Sequence, residues 1–119
     1  MTGISVISYL YDKLQNNGDV STYCGDRIFP LVAEEGTDYP YLIMKLESIL
    51  PEYTKDGRTY DTITVSVTVY AKDYKTVTQI QESVRTILES YSFKLDSLNE
   101  DFSSDAYRQT VYYRTFYKT

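Results

Sequence analysis

The chain contains no histidine and no tryptophan, and its 119 residues include one cysteine, three prolines and five glycines. Without histidine there is no Ser-His-Asp or Cys-His catalytic arrangement, and the commonest general base near neutral pH is missing. A single cysteine, Cys24, leaves no intramolecular disulfide to form, and zinc frameworks built from several Cys and His fall with it. Cys24 therefore reads as a small thiol, partly buried in a loop. No run approaches the eighteen or so apolar residues of a membrane span. The first residues, MTGISVISYLYDKL, carry neither a basic leader nor a continuous apolar stretch, so the expectation is a soluble, cytosolic chain with no membrane partner.

Positive charge is also in deficit: twelve Lys and Arg face seventeen Asp and Glu, a formal charge of -5. The averaged field repels phosphate backbones, so tight nucleic-acid binding is not expected, although a repelled polyanion can still pass by as cargo. Gly18 and Gly25 belong to no phosphate-cradling motif, and no lysine follows a glycine in the Walker pattern. Glu34 with Glu35, or Asp56 with Asp61, are not enclosed by apolar runs that would shift a pKa, and read as solvated loop charge. Asp101, Ser103, Ser104 and Asp105 lack the ligand spacing of a calcium loop. The expectation is no cofactor, no metal and no enzyme activity.

What remains is globular: hydrophobic residues make up 42% and charged residues 24%, with no repeat or linker, which implies one domain over residues 1–119. The most regular stretch is DTITVSVTVY, Asp61 to Tyr70. Ile63, Val65, Val67 and Val69 alternate there with Thr62, Thr64, Ser66 and Thr68, a strand with one apolar and one hydroxylated face. Ile4, Ile7, Tyr11 and Leu14, broadened by Val6 and Leu10, have helical spacing and predict a helix over about Thr2–Asn16, closed by Asn17 or Gly18. Arg27–Val32 predicts a brief edge strand in an otherwise irregular stretch from Gly18 to Pro40. Leu42, Met44 and Leu46 alternate as a second strand, joined to the Asp61 strand by a long hairpin turning at Asp56-Gly57.

Behind a candidate cap at Asp73, Val77, Ile80, Val84, Ile87, Leu88 and Tyr91 predict a second helix over Tyr74–Ser90, with Gln79, Gln81, Glu82, Arg85 and Glu89 facing water. A short strand at Phe93–Leu98, a polar loop at Asn99–Asp105 and a long strand from Tyr107 follow. The order α-β-β-α-β-β implies an α+β fold, with two helices on one face of a mostly antiparallel four-stranded sheet. If the strands flanking the second helix run parallel, they form a β-α-β crossover. The valine side of Asp61–Tyr70 then lies under the helices and the threonine side is uncovered, which an antiparallel sheet permits.

Fourteen tyrosines are the compositional outlier. Tyrosine gives rigid contact area and a hydroxyl that tolerates water or burial, which suits protein interfaces. Tyr11 and Tyr91 sit on helix stripes, whereas Tyr53, Tyr60, Tyr70, Tyr112 and Tyr113 are more than so small a core can hold. The last strand also interleaves Tyr107, Tyr112, Tyr113 and Tyr117 with Arg108, Arg114 and Lys118, a pattern found on single-stranded nucleic-acid platforms, which the net charge disfavours.

Four segments in order carry a family resemblance: Gly25-Asp26-Arg27-Ile28-Phe29-Pro30; Tyr39-Pro40-Tyr41-Leu42-Ile43; Val67-Thr68-Val69-Tyr70-Ala71-Lys72-Asp73 leading into Ile80, Val84, Arg85, Ile87 and Leu88; and Tyr107-Arg108-Gln109-Thr110-Val111-Tyr112-Tyr113-Arg114. Together they resemble the tail-completion, or tail-terminator, proteins of long-tailed bacteriophages, including those of prophages, over essentially the whole chain; Ser92–Asp105 matches least. The resemblance implies a non-catalytic ring, usually a hexamer of identical subunits, that caps the head-proximal end of the tail tube. Its partners would be the tail tube protein and the head-completion or connector protein, with DNA passing through unbound. Its location would be the virion, after assembly in the host cytoplasm.

One-sided cover then places the expected subunit or tube interface on the hairpin tip (Tyr53, Lys55, Asp56, Arg58), the hydroxyl face (Thr64, Ser66, Thr68) and the last strand (Tyr112, Tyr113, Arg114). The hairpin from Pro51 to Tyr60 is expected to project and to be ordered by a neighbour. Two alternatives stand beside this: a small ferredoxin-like ligand-binding or regulatory domain, and another phage neck protein such as a head-completion protein.

Overall fold

The computed structural model describes residues 4–57, 59–103 and 105–118, so Thr2, Arg58 and Ser104 lie outside the described residues. The first helix, α1 (Val6–Gln15), buries Val6, Leu10 and Leu14, while Ile7 and Tyr11 flank the core and Ile4 is exposed. The buried line is thus the i, i+4 series, one step away from the stripe expected through Ile4. Neither Asn17 nor Gly18 closes this helix. Asn17 instead starts a second one, α2 (Gly18–Cys24), its Oδ1 accepting from the N–H groups of Asp19 (2.9 Å) and Val20 (3.1 Å).

The expectation of a loop at 18–24 fails because residues that stop helices also start them, and Val20 and Cys24 alone mark the buried side. The hydroxyls of Ser21 and Thr22 donate back to the carbonyls of Asn17 and Gly18, 2.6 Å each, which is how poor helix formers are held in this turn. Gly25 ends α2 at a φ of 60°, in the left-handed region that glycine occupies without a Cβ clash. Cys24 is therefore a buried helical residue rather than a loop thiol.

Strand β1 (Ile28–Pro30) is the expected edge strand, and it lies parallel to β2 (Tyr41–Tyr53), with Phe29 opposite Ile43. Between them Arg27 Nε donates to the Pro40 carbonyl at 2.9 Å, and the Tyr39–Pro40 peptide is cis. β2 runs antiparallel to β3 (Thr59–Ala71), with a bulge between Leu46 and Ser48. β3 pairs antiparallel with β5 (Ala106–Lys118), which pairs antiparallel with β4 (Lys94–Ser103). The sheet order is β1-β2-β3-β5-β4.

Among the described residues the architecture is therefore α+β with three helices and five strands in the order α-α-β-β-β-α-β-β, not two helices and four strands. Because β3 and β4 are both antiparallel to β5, they run the same way, and α3 (Tyr74–Ser90) makes the β-α-β crossover between them with β5 seated in the gap.

β4 also continues through Asn99–Ser103, expected as a loop. It is an edge strand exposed almost throughout, so no burial alternation marks it in the sequence. Cross-strand pairs hold it instead: Asp96 with Arg114 and Asp101 with Arg108, both at 2.9 Å, and the tilted rings of Phe102 and Tyr107.

α3 buries Val77, Ile80, Val84, Ile87 and Leu88, as its spacing predicts. Each such aliphatic stabilises the fold by about 1.5–3 kcal/mol relative to exposure. Gln81, expected in water, is buried too, because its Nε2 donates to the carbonyls of Val67 (3.1 Å) and Gln109 (2.9 Å). α1 packs on β1 and β2, α3 on β3, β5 and β4, and α2 lies against both helices. The helices cover the face bearing Leu42, Met44, Ile63, Val65, Val67, Val69, Val111 and Tyr113.

Candidate functional site: the uncovered sheet face

Strand alternation and register assign every side chain of the opposite face. Thr68 is flanked by Ile43 and Thr110, Ser66 by Lys45 and Tyr112, Thr64 by Ser48 and Arg114, and Thr62 by Leu50 and Phe116. No helix among the described residues lies there, yet the hydroxyl row is not bare. Thr62 and Ser66 are buried because larger residues on both neighbouring strands stand higher than they do, whereas Thr64 and Thr68, each with a small hydroxylated neighbour on one side, are half-buried. Ser66 Oγ donates to Glu47 at 2.8 Å, and the hydroxyls of Thr68 and Thr110 lie 3.0 Å apart. The centre of this face is thus tied internally, and its charges pair on the same surface: Lys45 with Glu47 at 3.8 Å, Arg114 with Asp96, and Arg108 with Asp101.

Aromatic groups occupy the two ends. At the body end Tyr41 stacks with Tyr70 (4.8 Å) and with Tyr39 (5.5 Å), Phe29 meets Tyr41 edge-on, and Lys72 Nζ sits over the Tyr39 ring. Burial, and then the neighbouring hydroxyls of Tyr39 and Tyr70, push the Tyr41 phenol above its ordinary value. At the other end Leu50 and Phe116 are 58% and 61% exposed, and Tyr60 packs edge-on against Phe116. The Tyr60 phenol is pushed up by its hydrogen bond to Glu52 across the strand pair.

The expected interface residues do not all come together. Thr64, Ser66, Thr68, Tyr112 and Arg114 share the uncovered face. Tyr113 does not: alternation sends it under α3, where it is fully buried. Tyr53 lies at the far end of β2, 77% exposed but on the other face, and Lys55 and Asp56 are in the exposed turn, where Thr54 Oγ1 donates to Asp56. Arg58 falls outside the described residues. The same alternation divides the aromatic and basic residues of the last strand: Tyr107, Tyr113 and Tyr117 take the helix side, and Arg108, Tyr112 and Arg114 the uncovered side, with both arginines paired.

The sequence does not mark Phe29, Tyr39, Tyr41, Leu50 and Phe116 as interface residues. Their signal is positional and appears only once β1, β2, β3 and β5 are set in register. Among the described residues no group of three or more His, Cys, Asp or Glu is placed to hold a metal ion, and no helix is long and apolar enough to cross a membrane.

A one-sided sheet with an aromatic-ended outer face suits protein contact. Residues 8–117 match the family model described as "Tail completion protein gp17". The chain belongs to this family. Tail completion protein gp17 relatives are structural proteins of the bacteriophage virion, and that is the function of this chain. Its fold matches a chain in a solved structure titled "Virion of native gene transfer agent (GTA) particle", with a TM-score of 0.69, 12% identity and 92% of each chain covered. At that identity the likeness is one of fold. Comparison with curated proteins finds no match.

Proposed function

We propose that this tail-completion protein acts without catalysis, as a ring of identical subunits, six by family habit, that caps the head-proximal end of the tail tube, ends its growth and joins it to the head. The observation that carries this reading is the sheet face left without helical cover, which exposes Leu50 and Phe116 at one end and carries a half-buried tyrosine stack at the other. Two unlike patches on one surface are what a head-to-tail ring contact uses, since each subunit offers one patch to each neighbour. Its partners in this reading are copies of itself, the tail tube protein and the head-completion or connector protein. The net negative charge suits a lumen through which DNA slides without adhering.

The test is mass by light scattering over a concentration series, with electron microscopy of the protein alone and mixed with tail tubes. The expected result is rings, and caps at one end of each tube. Tyr112→Asp, on the uncovered face, is expected to remain a folded monomer. A protein that stays monomeric at every concentration and ignores tubes would overturn the reading.

A further inference from the structure

The uncovered face ties most of its cations to its own carboxylates but leaves one over. Arg114 is held by Asp96 at 2.9 Å, whereas Lys94, its neighbour in the strand register, pairs with no described carboxylate. Phe116 stands two residues further along β5 on the same face, about 7 Å from Arg114. Tyr60 packs edge-on against Phe116, and a shallow hollow of about 320 Å³ is lined by these two rings. Leu50 faces Phe116 across the buried Thr62, and the Glu52 carboxylate beyond it is engaged by the Tyr60 phenol. This end of the face therefore offers an exposed apolar hollow with cationic groups along its inner side.

The complementary features lie at the β1 edge, directly after the Phe29 that meets the tyrosine stack. There Val32 N–H donates to the Pro30 carbonyl at 2.9 Å across Leu31, whose φ is 72°, and Leu31 N–H donates to the Met44 carbonyl at 2.7 Å. Leucine rarely holds such a φ, and strain of this kind concentrates at functional positions. Leu31 and Val32 are 63% and 68% exposed. Glu34 and Glu35 follow, exposed, and neither forms an ion pair with a described residue. Val32 and Glu34 are separated by at most about 7 Å of chain. On the face, Lys94 stands about 7 Å along and about 5 Å across from Phe116, so apolar group and charge are spaced alike on the two surfaces. The turn cannot fill the hollow of its own chain. Leu31 is held level with Met44, whose row runs through Val67 to Val111, and Phe116 lies five residues further along β5, about 17 Å away.

We propose that the apolar end of the uncovered face receives the Leu31–Val32 turn of a second copy, the two aliphatic side chains meeting Phe116, Tyr60 and Leu50 while Glu34 and Glu35 reach Lys94 beside Arg114. This rests on the ring reading above and names the group that its apolar end binds. Turn and hollow are different surfaces of one chain, so the contact is heterologous and repeats head to tail. It removes from water four of the exposed large apolar side chains, Leu31, Val32, Leu50 and Phe116, and gives the unpaired lysine its carboxylate. The tyrosine stack next to the turn adds area at the rim of the same contact.

Disulfide trapping tests the contact. Leu31→Cys and Phe116→Cys are prepared separately and mixed under oxidising conditions at a concentration where the wild type assembles; native Cys24 is buried and does not compete. The expected product is a cross-linked dimer in this mixture, in neither protein alone, and not when Leu98→Cys on the β4 edge replaces Phe116→Cys. Leu31→Asp is expected to raise the concentration for half-assembly by about tenfold or more with an unchanged circular dichroism spectrum, since aspartate tolerates positive φ better than leucine does. Lys94→Glu is expected to weaken assembly, and Glu34→Lys with Glu35→Lys in the same chain to recover it. If the wild type forms rings but the mixture gives no cross-link, or if Leu31→Asp assembles as the wild type does, this contact is overturned and the ring stands. A wild type that forms no ring at all removes both.

Discussion

Gln81 Nε2 lies 2.9 Å from the Gln109 carbonyl oxygen and 3.1 Å from that of Val67, so one side-chain amide on α3 ties β5 to β3. Gln81→Met keeps the length and removes both donors. It also removes the unpartnered Oε1, which offsets part of the loss. Urea unfolding should therefore show a net loss of about 1 kcal/mol with an unchanged m value. Gln81→Glu should cost more, since a buried carboxylate would face two carbonyls, and its deficit should shrink as pH falls and the carboxyl protonates.

Two buried acids, Cys24 and Tyr113, contribute to the pH dependence of stability on the alkaline side. Burial raises the Cys24 thiol from 9.0 to about 11, only partly offset by Arg27, and burial also pushes the Tyr113 phenol far above its ordinary value. A group that ionises later in the folded chain than in the unfolded one favours the fold fully below its unfolded pKa. For Cys24 that contribution should fade as pH rises from 9 to about 11, and for Tyr113 from pH 10 upward. Thermal midpoints between pH 8 and 11 should fall less steeply for Cys24→Ala, at whatever cost in neutral stability, and less steeply above pH 10 for Tyr113→Phe. Since the Tyr113 hydroxyl has no partner, Tyr113→Phe should keep or raise stability at neutral pH.

Asn17 supplies the side-chain cap of a helix with few other supports. Asn17→Ala should cost about 1 kcal/mol in chemical denaturation, and Asn17→Asp should retain most of the stability by preserving the acceptor.

Leu50→Asp and Phe116→Asp alter side chains that already face water. Each should leave monomer stability within about 0.5 kcal/mol of wild type. Light scattering should nonetheless show assembly lost, because the same positions form one apolar end of the uncovered face.

What the sequence discloses follows from how strongly each segment repeats its burial. α3 has five apolar residues on one stripe and is readable to its ends, and Asp61–Tyr70 alternates without interruption, so the covered valine side is readable as well. α2 is too short to show a period, with only Val20 and Cys24 buried. β4 has no buried face to betray it, and its strand character comes from pairing with β5. Adjacent residues such as Tyr112 and Tyr113 part company for the same reason: composition marks both as interface tyrosines, but their faces are decided by register, and the bulges at Leu46–Ser48 and Leu95–Ser97 shift that register where the spacing alone gives no warning.

The position of β5 bears on how the polypeptide is made. It is the last described element to leave the ribosome, yet it belongs in the interior of the sheet, between β3 and β4. A nascent chain that stops short of Ala106 would have the second long edge of β3 unmatched and β4 with no neighbour at all. Most of the long-range hydrogen bonding must therefore wait for the final segment, and prematurely terminated products would be sticky fragments rather than small folded versions of the whole.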